Sequence, residues 1–151
     1  MAQNVGSDAV WRKLREKLAG LPHREVRIGV LTSEDAGPGL SLAELAAIHE
    51  FGAPSANIPE RSFIRSTLRD ERDKIEALCL RLARGIIADR LDLDAALGLL
   101  GTWAVAAIQA KIRSNIPPEL AQATVDRKHS TLALVDTGQL INSITYEVVS
   151  A

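Results

Sequence analysis

The sequence predicts an α+β fold: a small, mostly antiparallel sheet packed against two long helices, with long loops that act as interfaces. Three observations predict it. Between residues 60 and 116 apolar side chains recur at helical spacing with one brief break, whereas only residues 25–31 and 144–149 alternate with a period of two. Gly, Pro, Ser and Asp gather in the connections. Aromatic residues make up only 3% of the chain, so the core must come from Leu, Ile, Val and Ala. Leu and Ala lose little rotamer freedom in a helix.

Residues 7–19 read as an amphipathic helix, capped by Ser7 or Asp8, with Val10, Trp11, Leu14 and Leu18 on one face. Gly20 and Pro22 stop it. Residues 25–31 form the first strand, and residues 32–40 a loop. Ser41 and Glu44 make a capping box that opens a short helix. Gly52 ends that helix as an αL cap. After a loop over 53–59, with Pro59 in the first turn, one helix is expected from 60 to about 90. Its apolar face holds Phe63, Ile64, Leu68, Ile75, Leu78, Leu82 and Ile86.

Asp92 or Asp94 caps the next helix, which runs to about Ile116, where Pro117-Pro118 stops it. Residues 95–110 of this helix carry no charge, so it is expected to be buried on most of its circumference. A membrane span needs about 20 predominantly apolar residues, and this run is bracketed by Asp94 and Lys111 and contains Gly98, Gly101, Thr102 and Gln109. It is therefore read as a core helix, with no membrane partner. Residues 119–130 form a polar loop, 131–135 a short strand or extended lead-in, and Thr137 caps one helical turn before the last strand.

The 151 residues suit one domain with a real core. Lys and Arg number 18 against 19 Asp and Glu, a balance that argues against holding nucleic acid by broad attraction and permits self-association. The polar start lacks the apolar run of a signal peptide. Cys79, the single cysteine, lies among Leu78, Leu80 and Leu82 and is expected to be a buried hydrophobe. His49-Glu50 lacks the second histidine of a zinc motif, since Ala53 occupies that place. No phosphate loop, nucleophilic triad or metal spacing is present in the sequence, so no cofactor or catalytic residue is expected.

Two blocks carry more. The first joins Ile48-His49-Glu50-Phe51-Gly52 to Ile58-Pro59-Glu60-Arg61-Ser62-Phe63-Ile64-Arg65, and the second is Leu134-Val135-Asp136-Thr137-Gly138-Gln139-Leu140 with Ser143-Ile144. Together they resemble a signature of tailed-phage neck, head–tail joining and tail-completion proteins. The resemblance implies a virion structural protein, not an enzyme, located at the neck or tail top and in the host cytoplasm during assembly. It also implies a ring, with sixfold symmetry favoured, whose partners are the tail-tube protein and a head connector or adaptor, with passive contact to channel DNA. His49, Phe51, Gly52, Arg61, Phe63, Arg65, Arg127, Lys128, Asp136, Thr137 and Gly138 are the interface candidates. Phe63 is expected to anchor the corner while Arg61 finds a carboxylate or carbonyl.

Rival readings remain. A tail terminator that caps the tube shares the class, and a host adaptor without a virion role lies outside it. Asp136-Thr137-Gly138 also looks like the active-site loop of an aspartic protease, which would need a homodimer to pair two carboxylates. Long helices ahead of the motif speak against that all-β enzyme, and Thr137 is more simply a helix cap. Arg61, Arg65, Arg69 and Arg72 share a helix face at this spacing, but interleaved Glu60, Asp70, Glu71 and Asp73 favour a salt-bridged surface over a DNA-binding stripe.

Overall fold

In the structure, a computed structural model, residues 5–32, 34–37, 39–114, 116–118 and 138–151 are described. The elements in chain order are α1 (Val5–Ala19), β1 (Arg24–Val30), β2 (Asp35–Gly37), β3 (Leu40–Ser41), α2 (Leu42–Phe51) and a 3-10 turn (Pro54–Ala56). They continue with α3 (Ile64–Asp70), α4 (Arg72–Ile87), α5 (Leu93–Arg113), α6 (Gln139–Ser143) and β4 (Ile144–Ser150). This is the α+β class expected, with small antiparallel sheets; the β1–β4 pair packs against α5, and α4 packs against α5.

β1 and β4 pair antiparallel, with Val26 opposite Val148, Ile28 opposite Tyr146 and Val30 opposite Ile144. Opposed residues share a face, so these side chains form one apolar surface, and α5 packs across it. Asp92 opens α5 as expected, its carboxylate accepting from the Ala95 N–H at 2.8 Å. The buried stripe of α5 is Ala96, Gly101, Ala104, Ile108 and Ile112. Ile108, Ile112 and Ile116 meet Phe63, Leu140, Ile141 and Ile144 in the central core, while Leu78 and Leu82 of α4 meet Ala96 in a second cluster. Gln109, the polar residue within the apolar run, donates from Nε2 to the Ile141 carbonyl at 3.0 Å and so ties α5 to α6.

Five expectations fail here, each for a physical reason. The single helix over 60–90 divides: residues 60–63 are not helical, and Glu71 (φ −101°, ψ 11°) separates α3 from α4. The phase of the apolar stripe resets at that break, which leaves Leu68 exposed. Cys79 is exposed too, because helical geometry turns in Leu78 and Leu82 and turns out Cys79 and Leu80. α5 is long and apolar enough to cross a membrane by length and composition, yet only 28% of its most apolar window is buried, since a two-stranded sheet covers one face. The outward face carries small residues such as Ala106 and Ala110, with Leu99 half exposed among the larger ones. In α1, Val10, Trp11 and Leu18 stand in solvent, with Trp11 63% exposed. That helix is held at its C-terminal end, where Lys17 pairs with Asp89 and donates to the Ile87 carbonyl at 3.1 Å.

The loops also differ from expectation. Residues 35–41 hold a small hairpin of β2 and β3. Ala53 and Ile58 close the next loop on themselves, Ala53 N–H to Ile58 carbonyl at 2.9 Å and Ile58 N–H to Ala53 carbonyl at 3.0 Å. α5 ends at Arg113, short of Ile116. Residues 119–130, the strand or lead-in over 131–135, and Arg127, Lys128, Asp136 and Thr137 lie outside the described residues. Gly138, in the left-handed conformation (φ 76°, ψ −3°), holds the N-cap position of α6 that was assigned to Thr137, with no side-chain cap.

Two glycines of α5 lie under the Tyr146 ring and should respond in opposite senses to a methyl group. A Cβ at Gly101 would stand 2.4 Å from the ring carbons, whereas one at Gly98 meets only the Tyr146 hydroxyl at 3.6 Å. Gly98→Ala should gain up to about 1 kcal/mol from helix propensity. Gly101→Ala should lose about 1–2 kcal/mol net, because the overpacking outweighs that gain. Urea denaturation of the two variants beside the wild type measures both signs.

Candidate functional site

The first signature block folds into a clasp centred on Glu50. The Ser41–Glu44 capping box starts α2: the Glu44 N–H donates to Ser41 Oγ at 3.2 Å, and the Ser41 N–H donates to Glu44 Oε2 at 2.9 Å. Glu50 lies in the last turn of α2 and is buried. A carboxylate is poorly placed at its own helix C-terminus, where the backbone dipole is negative. Its purpose lies across the corner, at the start of α3.

There Glu50 Oε2 accepts from the N–H groups of Phe63 at 2.7 Å and Ile64 at 2.9 Å. Oε1 accepts from the Arg65 N–H at 2.9 Å, the Ser62 hydroxyl at 2.8 Å and Arg65 Nε at 3.0 Å. A helix leaves its first four N–H groups without intrahelical partners. Glu50 satisfies three of them, and Ser62 Oγ takes the fourth, from Ser66, at 3.2 Å. Phe63, at the N-cap position, has no side chain to do this. Burial alone pushes the Glu50 carboxyl up, but the hydrogen bonds from Ile64, Arg65, Ser62 and Phe63 together outweigh it and hold the group below its ordinary value.

Gly52 makes the reversal between the two helices. Its φ of 74° with ψ of 167° is open to glycine, though it is not the αL cap expected. A Cβ there would lie 2.8 Å from the Glu60 nitrogen. The returning strand of chain is held by the Arg61 N–H, which donates to the His49 carbonyl at 2.8 Å. Phe63 is fully buried, as expected of an anchor. Arg61 finds a carbonyl: Nε and Nη2 both donate to Pro118, at 3.0 and 2.9 Å, so the corner grips the chain beyond α5.

Four basic residues do not form one stripe. Arg61 precedes the helix and is buried, and Arg72 follows the break. Arg65 pairs with Glu50 and Glu60, Arg69 with Asp70, and Arg72 with Glu76. Among the interface candidates, Phe51 and Arg65 reach the surface side by side, the guanidinium 4.6 Å from the ring centroid. His49 is half-buried, Gly138 starts α6, and Arg61 and Phe63 face inward. Beside Phe51 and Arg65 opens an apolar groove of about 270 Å³, lined by Val30, Ala43, Ala46, Ala47 and Ile64.

Sequence reasoning missed the role of Glu50. The one signal for it was a helix start lacking a capping side chain, and that signal appears only once the break at 60–63 is seen. Among the described residues no group of three His, Cys, Asp or Glu side chains could hold a metal ion. In comparisons with known proteins, no family model, no curated protein and no solved structure matches this chain.

Glu50→Gln keeps the size but replaces one acceptor oxygen with a donor, and it should cost about 2–4 kcal/mol. The lowered pKa fixes the sign of the pH dependence. The Glu50 contribution is complete above the unfolded-state value of about 4.3 and is lost as pH falls through the lower folded-state value. Denaturation from pH 7 to pH 3 should therefore show the gap between wild type and Glu50→Gln narrowing on the acid side. A gap that stays constant with pH would contradict a charged carboxylate at the α3 N-terminus.

Proposed function

We propose that this chain is a virion structural protein of the neck and tail-completion class. Copies form a closed ring around the DNA channel at the top of the tail, completing the tail and meeting the head connector. Sixfold symmetry, matching a tail tube, comes with the resemblance. The mechanism is assembly: heterologous contacts repeat around an axis until the ring closes.

The observation that carries this reading is the coherence of the first signature block. Glu50, Gly52, Arg61, Phe63 and Arg65 make one clasp with mutual hydrogen bonds and a glycine-only reversal. A clasp of this kind suits a scaffold whose exposed corner is presented rigidly to neighbours. The clasp displays Phe51 and Arg65 beside an open groove, a surface suited to another protein.

Cryo-electron microscopy of intact particles carrying this chain tests the proposal. One ring between tail tube and head connector is the expected density. A ring seated on the tube end and touching no head protein would make it a tail terminator. Absence from the neck, or copies throughout the capsid, would overturn the proposal.

Asp136 separates the assembly reading from the protease. Asp136→Asn is expected to leave folding and particle assembly intact, with no peptide cleavage by the wild type at any pH. A cleavage activity with an acid optimum that disappears in Asp136→Asn would replace the structural role with an enzymatic one.

A further inference from the structure

Two apolar features of the described chain have no partner, and they are complementary. The first is the ridge on α1 formed by Val10, Trp11, Leu14 and Leu18, of which only Leu14 is half-buried. The second is the groove between α2 and α3, floored by small alanines and walled by Phe51, itself 63% exposed. None of the residues lining that groove comes from α1.

The fastened end of α1 lies away from the groove. The C-terminal end of α1 is fastened at Asp89, and the Arg24 end of β1 lies close by, where Arg24 Nε pairs with Asp94 at 3.1 Å. The groove lies at the other end of β1, beside Val30. Six steps along a strand span about 20 Å.

Charge favours the same pairing. α1 carries Arg12, Lys13, Arg15 and Lys17 against Asp8 and Glu16. Over residues 34–65, which supply α2 and the start of α3, Glu34, Asp35, Glu44, Glu50 and Glu60 outnumber Arg61 and Arg65, with Arg65 itself lining the groove and pairing with Glu50 and Glu60. Lys13 and Arg15 flank the ridge on its two sides at helical spacing. Size also selects the occupant: about 270 Å³ lies below the roughly 300–1,000 Å³ of small-molecule pockets. It suits one large side chain, and Trp is the residue most used as such an anchor.

We infer that α1 of one copy docks in the α2–α3 groove of the next, with Trp11 seated against Phe51 and Ala47. This is a helix-in-groove contact. Ridge and groove are different surfaces at opposite ends, so the contact is heterologous and repeats head to tail. It deepens the ring reading and rests on it for its place in a virion, but the contact is tested on purified full-length protein.

The probe is disulfide trapping in a Cys79→Ser background, which removes the exposed native thiol. Val10→Cys protein, which keeps Trp11, is mixed with Ala47→Cys protein at rising concentration under mild oxidation. Leu99→Cys, on the exposed face of α5, serves as the control partner. The expected result is a mixed Val10→Cys/Ala47→Cys dimer formed several-fold faster than either control pairing. Adding salt, or Lys13→Glu with Arg15→Glu, should slow it. Three results would overturn the contact: yields equal to the control, Val10→Cys linking best to itself, or no mixed dimer up to the solubility limit. Each would leave the location of the chain in the neck untouched, because that is decided by density in the particle.

Discussion

A single buried carboxylate organises the centre of this molecule. Glu50 leaves the end of α2 and replaces water for the first N–H groups of α3, so neither helix end can move without stranding the other's polar groups. In a site with little water such a loss is expensive, because each buried donor left unmade costs about 1–3 kcal/mol. Everything nearby inherits its position from that bond set. Phe63 enters the core because the chain at 60–63 is held against the carboxylate, and the Arg61 guanidinium is thereby aimed at the Pro118 carbonyl. Through Arg61 the clasp reaches the chain beyond α5, and through Phe63 it reaches Ile108 and Ile112 on α5 itself.

The same constraint shapes the surface. Because α3 starts where Glu50 dictates, Arg65 emerges over Phe51, and Ala43 and Ala47 of α2 stay uncovered beside Ile64. A groove made by two helices locked at their ends is preorganised, so a partner meets it without reordering it. The contrast with α1 is instructive. That helix is fastened at its C-terminal end by the ion pair and carbonyl contact of Lys17 and keeps its large apolar side chains in solvent. A rigid groove and an unburied ridge on one chain are the two surfaces that the proposed contact between copies would join.

Several local signals were read correctly, although α1 starts at Val5, ahead of the Ser7 or Asp8 expected to cap it, and Gly138 holds the cap position expected of Thr137. The Ser41–Glu44 box, the Asp92 cap and the two alternating strands each depend on residues within a few positions of one another. The stop at Gly52 was also legible, although its conformation was not, since the approach of Glu60 that forbids a Cβ comes from the returning chain. Errors arose where one element answered to another. A periodic pattern across 60–90 looked continuous because the break near Glu71 has no proline or glycine to mark it. Cys79 looked buried because its sequence neighbours are apolar, yet helical geometry puts adjacent residues about 100° apart.

By itself, then, the sequence singled out the block from Ile48 to Arg65 by resemblance and determined the fold class, the two seven-residue strands and most helix boundaries. Those follow from periodicity and from caps that act over three or four residues. Tertiary structure alone decided what that block is for: which carboxylate caps which helix, which carbonyl Arg61 grips, and which apolar faces are left open. Such pairings join residues up to 57 positions apart, as Arg61 and Pro118 are. Burial and hydrogen-bond satisfaction are properties of the folded neighbourhood, and no spacing along the chain encodes them.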